Sequence, residues 1–141
     1  MPFRLAVLGQ NKADDIIENY SYTNYYIAGH SMGGAMAAVY ASNNQDKLSG
    51  LFMLAAYPTK DVSKLKSVLI IYGSNDKVLD SKKLEDGKQY LPDNALTYVI
   101  EGGNHASFGN YGEQSGDGKI DIMWEEQQAM TASYIFKCLN E

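Results

Sequence analysis

Three residue types that support nucleophilic catalysis occur in this chain at the ends of predicted strands: a serine, an aspartate and a histidine. The serine is Ser31, in Gly29-His30-Ser31-Met32-Gly33, which has the pattern G-x-S-x-G. An apolar run precedes this pattern, and a helical pattern follows it. Such a turn is typical of a nucleophile elbow, in which strained dihedrals and close backbones favour glycine beside the serine. The sequence therefore predicts that Ser31 is a nucleophile.

A serine hydroxyl needs a base to activate it, and the base needs an acid to orient it. The chain has two histidines. His30 is the immediate neighbour of Ser31 and leaves the backbone in another direction, so a packing role is predicted for it. His105 lies in a glycine-rich loop after a predicted strand, where open α/β sheets carry their chemistry. His105 is therefore the candidate base.

Asp76 lies in the short turn that directly follows the apolar run 67–73 and is the candidate acid at the same edge of the sheet. Glu101, four residues before His105, is an alternative acid. Asp80 is predicted to be the N-cap of the next helix. The backbone N–H of Met32 is predicted to be one donor of an oxyanion hole. No loop that would supply a second donor is recognised upstream of Ser31.

Hydrophobic patterning defines the elements that must position these residues. Four strands and four helices are predicted, with the strands at 25–28, 50–56, 67–73 and 95–100 and the helices at 11–20, 33–43, 81–90 and 123–139. Short, continuously apolar strands separated by helices are typical of parallel strands covered on both faces. The predicted fold class is α/β, a single domain over residues 1–141 that forms a three-layer sandwich around a mostly parallel sheet of about four strands.

Composition and net charge disfavour several classes of function. Hydrophobic residues make up 45% and charged residues 21% of the 141, as in ordinary globular proteins. A formal net charge of −5 disfavours nucleic acid or an anionic membrane as a partner. Cys138 is the single cysteine, so neither an internal disulfide nor a cysteine metal cluster is expected. No stretch suits a membrane span or a signal peptide, which leaves the cytoplasm as the default compartment unless a leader precedes this sequence.

The segment 116–121 allows two interpretations. Its Asp-Gly pair resembles part of a calcium-binding loop, but Trp124 stands where a bidentate glutamate belongs. A turn, followed by Asp121 as the cap of the last helix, explains the same residues and is favoured. No metal site is therefore predicted.

Three motifs together resemble those of the α/β-hydrolase superfamily, and most closely those of small, lidless bacterial members related to dienelactone hydrolase. The motifs span residues 29–34, 72–78 and 102–109, and they place Ser31, Asp76 and His105 in the family's Ser…Asp…His order. The resemblance implies a serine hydrolase that acts on esters or similar acyl compounds without a metal or organic cofactor.

The resemblance covers the C-terminal part of that fold and lacks its first four strands. Met1–Leu8 look like the segment that leaves the family's fourth strand, and the loop that gives the second oxyanion donor is missing. The strand at 25–28 is then an apolar edge, which favours pairing with another strand. We expect self-association through this edge, or coverage of it by the N-terminal segment.

The leading hypothesis is a serine hydrolase with a small-molecule acyl substrate. Two alternatives remain open: a non-catalytic fragment that acts as a binding or assembly module, and an acyltransferase with the same triad. The short connection 57–66 leaves no room for a cap domain, so an uncovered cleft is expected. Tyr57, Phe108 and Tyr111 are candidates for lining it, with packing at the sheet edge as the alternative.

Overall fold

The computed structural model describes residues 12–140. Its strands are β1 (Tyr26–His30), β2 (Gly50–Leu54), β3 (Ser67–Gly73) and β4 (Leu96–Ile100). Its α-helices are α1 (Lys12–Asn19), α2 (Met32–Asn43), α3 (Ser81–Gly87) and α4 (Trp124–Asn140), and short 3₁₀ turns occupy Lys88–Tyr90 and Ala106–Phe108. The predictions for Met1–Leu8 and for a helix start at Asn11 lie outside the described residues.

The four strands form one parallel sheet in the order β1-β2-β3-β4. The register pairs His30 with Leu54 and Gly73 with Ile100, so the carboxyl ends of all strands meet at one edge. The predicted α/β class and the parallel sheet of four strands are confirmed. In the described part of the chain β1 lies at one edge of the sheet, and association through that edge stays a prediction.

Each inner strand is buried on both faces, which explains its unbroken apolar sequence. One face packs with α2 and α3 around buried side chains such as Leu51, Met53 and Ile70. The opposite face packs with α4 around Phe52, Leu69 and others. Each such side chain contributes about 1.5–3 kcal/mol on burial. The predicted three layers are therefore present, with helices on both faces of the sheet.

Several boundaries differ from the sequence prediction for identifiable reasons. β1 continues to His30 because the ladder with β2 runs as far as the His30–Leu54 pair. β2 ends two residues earlier than predicted because Ala55 has a φ of 48°. The Asp80 N-cap is confirmed, since its carboxylate accepts from the backbone N–H of Lys83 at 3.0 Å.

The last helix begins at Trp124, and Asp121 is not its cap. The Asp121 carboxylate instead accepts from the side-chain amide of Asn75 at 2.8 Å, and its backbone N–H donates to the Gly102 carbonyl. The turn interpretation of this segment fits Gly116, which has a φ of 85°. Between residues 12 and 140, no helix is both long enough and apolar enough to cross a membrane.

Candidate active site

Ser31 forms the turn between β1 and α2. Its φ of 53° and ψ of −123° are unusual for a residue with a side chain, and such a conformation costs roughly 1–3 kcal/mol. Hydrogen bonds hold it on both sides: its N–H donates to Leu54 at 2.9 Å, and its carbonyl accepts from Ala35 at 3.0 Å. The hydroxyl caps no backbone group of α2. It is therefore available to another side chain.

Two glycines allow β1 and α2 to approach closely beside this turn. A Cβ on Gly29 would overlap the backbone carbonyl group of Gly33. A Cβ on Gly34 would lie 2.6 Å from the Cβ of Ala56 and 2.7 Å from the carbonyl oxygen of Gly29. At Gly33 a Cβ would meet nothing within 4 Å. The close approach on the helix side thus depends on Gly34, one residue beyond the G-x-S-x-G pattern.

Ser31, His105 and Asp76 form one hydrogen-bonded row. His105 Nε2 lies 2.8 Å from Ser31 Oγ, and His105 Nδ1 lies 2.8 Å from Asp76 Oδ2. A carboxylate can only accept, so Nδ1 carries the proton and Nε2 accepts from the serine hydroxyl. The side chains of His105 and Asp76 are 2% and 1% exposed. Glu101, the alternative acid, is exposed to solvent.

The environment of Asp76 favours its charged form. Burial alone would raise the pKa of this carboxyl, but hydrogen bonds from His105 and from the backbone N–H groups of Leu79 and Val78 outweigh burial and lower the pKa. Both backbone bonds reach the second oxygen, Oδ1, at 2.8 and 2.9 Å. Asp76 is therefore held as a carboxylate that faces His105.

His30 connects the serine turn to the histidine loop. Its Nε2 lies 2.9 Å from the carbonyl oxygen of His105, so Nε2 carries a proton and donates it to this bond. Its ring lies among those of His105, Phe108 and Tyr111, with centroids 4.9, 5.6 and 5.6 Å away. Burial and, to a lesser degree, the nearby His105 lower the pKa of His30. A neutral His30 thus supports the backbone of His105.

The three aromatic candidates for the cleft lie in different places. Tyr111 stacks on His30 at an interplanar angle of 10° and is 70% exposed. Phe108 lies against His30 and also packs on the core face that α4 covers. Tyr57 packs against the opposite core face. The structure therefore brings Phe108 and Tyr111 next to the Ser31 turn.

Two residues that the sequence did not single out bind the backbone on either side of His105. Gln127 is fully buried, and its side chain accepts from the N–H of Asn104 at 3.0 Å and donates to its carbonyl at 2.8 Å. Asp117 accepts from the N–H of Ala106 at 2.9 Å. No sequence signal separates Gln127 from the adjacent Gln128, whereas the sequence around Asp117 suggested a turn or, less favoured, a calcium-binding loop.

The start of α2 lies next to Ser31. The first N–H groups of a helix have no partner within it, and that of Met32 is the first in α2. The Met32 side chain is 61% exposed, so this end of the helix faces solvent. The backbone N–H of Met32 thus lies next in the chain to Ser31, at an exposed end of the helix.

A cavity of about 710 Å³ lies beyond the histidine loop. Asn104, Ala106, Asp117, Lys119 and Trp124 are among its lining residues, and Ser31 is not. Its walls belong to the segment after His105 and to the start of α4. The cavity therefore adjoins the loop that carries His105 without including the serine.

A serine at a strand-to-helix turn, with a histidine and an aspartate on later loops of a parallel sheet, is the arrangement of a hydrolase fold. Residues 1–129 match the family described as "Alpha/beta hydrolase family". The chain belongs to this family. A comparison with curated proteins finds no match.

Solved structures share this fold. MGS-MChE2, an alpha/beta hydrolase enzyme from the metagenome of Mar Chica lagoon sediments in Morocco, is 17% identical with a TM-score of 0.65, over 94% of this chain and 70% of that one. A predicted CIB-like hydrolase from Thermoplasma acidophilum is 18% identical with a TM-score of 0.64. The match covers 92% of this chain and 59% of that one. Est1E from Butyrivibrio proteoclasticus is 16% identical with a TM-score of 0.61. The match covers 92% of this chain and 67% of that one. The chain thus spans 59 to 70% of these relatives.

Proposed function

We propose that this protein is a serine hydrolase that cleaves carboxylic esters or similar acyl compounds through Ser31, His105 and Asp76. The observation that carries the proposal is the row of two hydrogen bonds of 2.8 Å among these side chains. Packing alone does not require a buried histidine and a buried carboxylate to align on a serine hydroxyl. The family to which the chain belongs supports hydrolysis as the reaction.

In the proposed mechanism, Ser31 Oγ attacks the acyl carbonyl carbon while its proton passes to His105 Nε2. The resulting imidazolium donates to Asp76, whose lowered pKa keeps it charged. His105 then gives the proton to the departing alcohol as the bond to the acyl carbon breaks. A water molecule then attacks the acyl carbon and gives its proton to His105 Nε2. His105 returns this proton to Ser31 Oγ as the acyl–serine bond breaks, which releases the acid and restores Ser31.

The oxyanion is proposed to form beside the first turn of α2. The backbone N–H of Met32 is the predicted donor, and its place as the first residue of α2 supports this role. The positive end of the helix dipole favours negative charge at the same point. A second donor is not assigned to any described residue.

We further propose a small or extended acyl substrate, as in lidless members related to dienelactone hydrolase. The connection between β2 and β3, residues 55–66, contains no helix that would cover the serine turn. Met32, which follows Ser31, and Tyr111, which stacks on His30, are both strongly exposed. Phe108 and Tyr111 are the proposed lining residues, whereas the packing of Tyr57 on the core supports its structural role more than contact with substrate.

The test uses a fluorophosphonate probe, in which serine Oγ bonds to phosphorus and fluoride leaves. We expect the full chain to gain the mass of one probe less HF, and Ser31→Ala to gain none. Ser133→Ala, a change at an exposed position of α4, is the matched control and should label like the native chain. Ester hydrolysis by Ser31→Ala should fall by more than roughly 10³-fold.

Three outcomes would contradict the proposal in different ways. Absence of labelling in the folded native chain would favour the binding-module alternative. Transfer of the acyl group to an added alcohol in strong preference to water would favour an acyltransferase. Faster cleavage of long-chain than of short-chain esters would contradict the proposed substrate class.

A further inference from the structure

Asp117 lies between the loop that carries the candidate acid and the loop that carries the candidate base. Its Oδ2 accepts from the N–H of Ala106, which follows His105, at 2.9 Å. Its Oδ1 accepts from the N–H of Lys77, which follows Asp76, at 3.4 Å, and from its neighbour Gly118 at 2.7 Å. The two oxygens of one carboxylate are thus divided between the two loops.

The rest of this segment, which we call the strap (residues 117–121), is attached to the same two loops. On the acid side, the Asn75 side chain donates to the carbonyl of Lys119 at 3.0 Å and to Asp121 at 2.8 Å. A Cβ on Gly118 would overlap the carbonyl oxygen of Asn75, so the two backbones are in close contact there.

On the base side, the Asn104 side chain donates to the carbonyl of Gly118 at 2.8 Å, and the N–H of Asp121 donates to Gly102. The strap is therefore bonded to both of the loops that carry the proposed acid and the proposed base.

We infer that Asp117 is a positioning residue that holds His105 and Asp76 at their mutual distance. The inference rests on the proposed function of these two side chains. Both stand on loops at the ends of separate strands, so an independent movement of either loop would lengthen the bond of 2.8 Å between them. One carboxylate bonded to both backbones couples the loops, and a misplacement of 1 Å can cost about 100-fold in rate.

A carboxylate is required because both of its oxygens accept. In Asp117→Asn, one oxygen becomes an amide nitrogen that cannot accept from a backbone N–H. Whichever way the amide turns, one loop loses its bond. Asp117→Ala removes both bonds and should have the larger effect.

The test measures kcat and KM for a short-chain p-nitrophenyl ester in Asp117→Asn and Asp117→Ala, well below the melting temperature of each variant. We expect kcat to fall about 10-fold and about 100-fold respectively, with KM changed by less than about 3-fold, because the loss is in alignment and not in substrate contact. Asp93→Asn, the same substitution on an exposed loop, is the control and should retain the native kcat.

A spectroscopic readout separates positioning from stability and from the proposed function. The proton between His105 Nδ1 and Asp76 should give a strongly downfield NMR resonance, and with two histidines in the chain it is assigned through His30→Gln. We expect Asp117→Asn to weaken or lose this resonance and Asp93→Asn to keep it.

Native kcat and an unchanged resonance in Asp117→Asn would overturn the inference, even if its melting temperature fell. If the native chain cleaves no ester, the proposed function fails, while the resonance still decides whether Asp117 positions His105.

Discussion

Alanine at Gly34 should destabilise the protein, whereas alanine at Gly33 should not. A Cβ on Gly34 would lie 2.6 Å from the Cβ of Ala56 and 2.7 Å from the carbonyl oxygen of Gly29. Neither group can rotate away, because one is the whole side chain of an alanine and the other belongs to the backbone. A Cβ on Gly33 meets nothing within 4 Å. The two substitutions therefore differ in one respect: only the new Cβ at Gly34 collides with Ala56 and Gly29.

The comparison isolates the free energy of that collision. Alanine gains about 0.5–1 kcal/mol over glycine in a helix, and this gain is common to both variants of α2. Overpacking costs about 1–3 kcal/mol, and it applies only at Gly34. The free energy of unfolding should thus be lower in Gly34→Ala than in Gly33→Ala by about 1–3 kcal/mol. At roughly 3 °C per kcal/mol for a chain of this size, the melting temperatures should differ by roughly 3–9 °C.

The assay is urea denaturation of both variants and the native chain, followed by circular dichroism and by the fluorescence of the single tryptophan, Trp124. Gly33→Ala should be as stable as the native chain or slightly more stable. Equal free energies of unfolding for the two variants would show that β1 and α2 are not in the close contact on which the position of Ser31 depends.

Two further predictions concern the supports of the histidine loop. Gln127→Leu leaves the buried N–H and carbonyl of Asn104 without partners, so urea denaturation should show a loss of about 2–5 kcal/mol, much larger than in Gln128→Leu. His30 has a lowered pKa in the folded chain, so the unfolded chain binds more protons and stability should decline as pH falls through about 6.5. His30→Phe should reduce that decline between pH 7.5 and 5.5, and an equally steep decline in this variant would contradict the assigned burial of His30.

The sequence predicts the sheet and the hydrogen-bonded residues for a physical reason. Strands buried on both faces are continuously apolar, so their ends can be read from the chain, and parallel strands bring those ends to one edge. The residues after β3 and β4 must then lie near Ser31. The sequence favours Asp76 over Glu101 as the acid, and in the structure Asp76 is bonded to His105 while Glu101 is exposed.

The supports of the site are much less visible in the sequence. Asp117 binds groups that are 40 and 11 residues away, and nothing in a glycine turn indicates which distant N–H groups it meets. Gln127 and Gln128 are adjacent and identical, and only the packing of α4 buries the first of them. For the third support, His30, the sequence predicts only a packing role, because its bond to His105 depends on the fold of a loop 75 residues later.

These three supports explain how a loop residue can hold the geometry that the proposed catalytic base requires. Consecutive backbone groups are each bound by a side chain from a different element: Asn104 by Gln127, the carbonyl of His105 by His30, and the N–H of Ala106 by Asp117. Ordering the backbone costs about 1–2 kcal/mol per residue, and a net hydrogen bond returns about 0.5–1.5 kcal/mol, or more with a charged partner. Four such bonds over three residues roughly offset the cost of ordering. Side chains therefore fix Asn104 and His105 where neither a strand nor an α-helix does, and in the proposed mechanism the cost of orienting His105 is met on folding and not during the reaction.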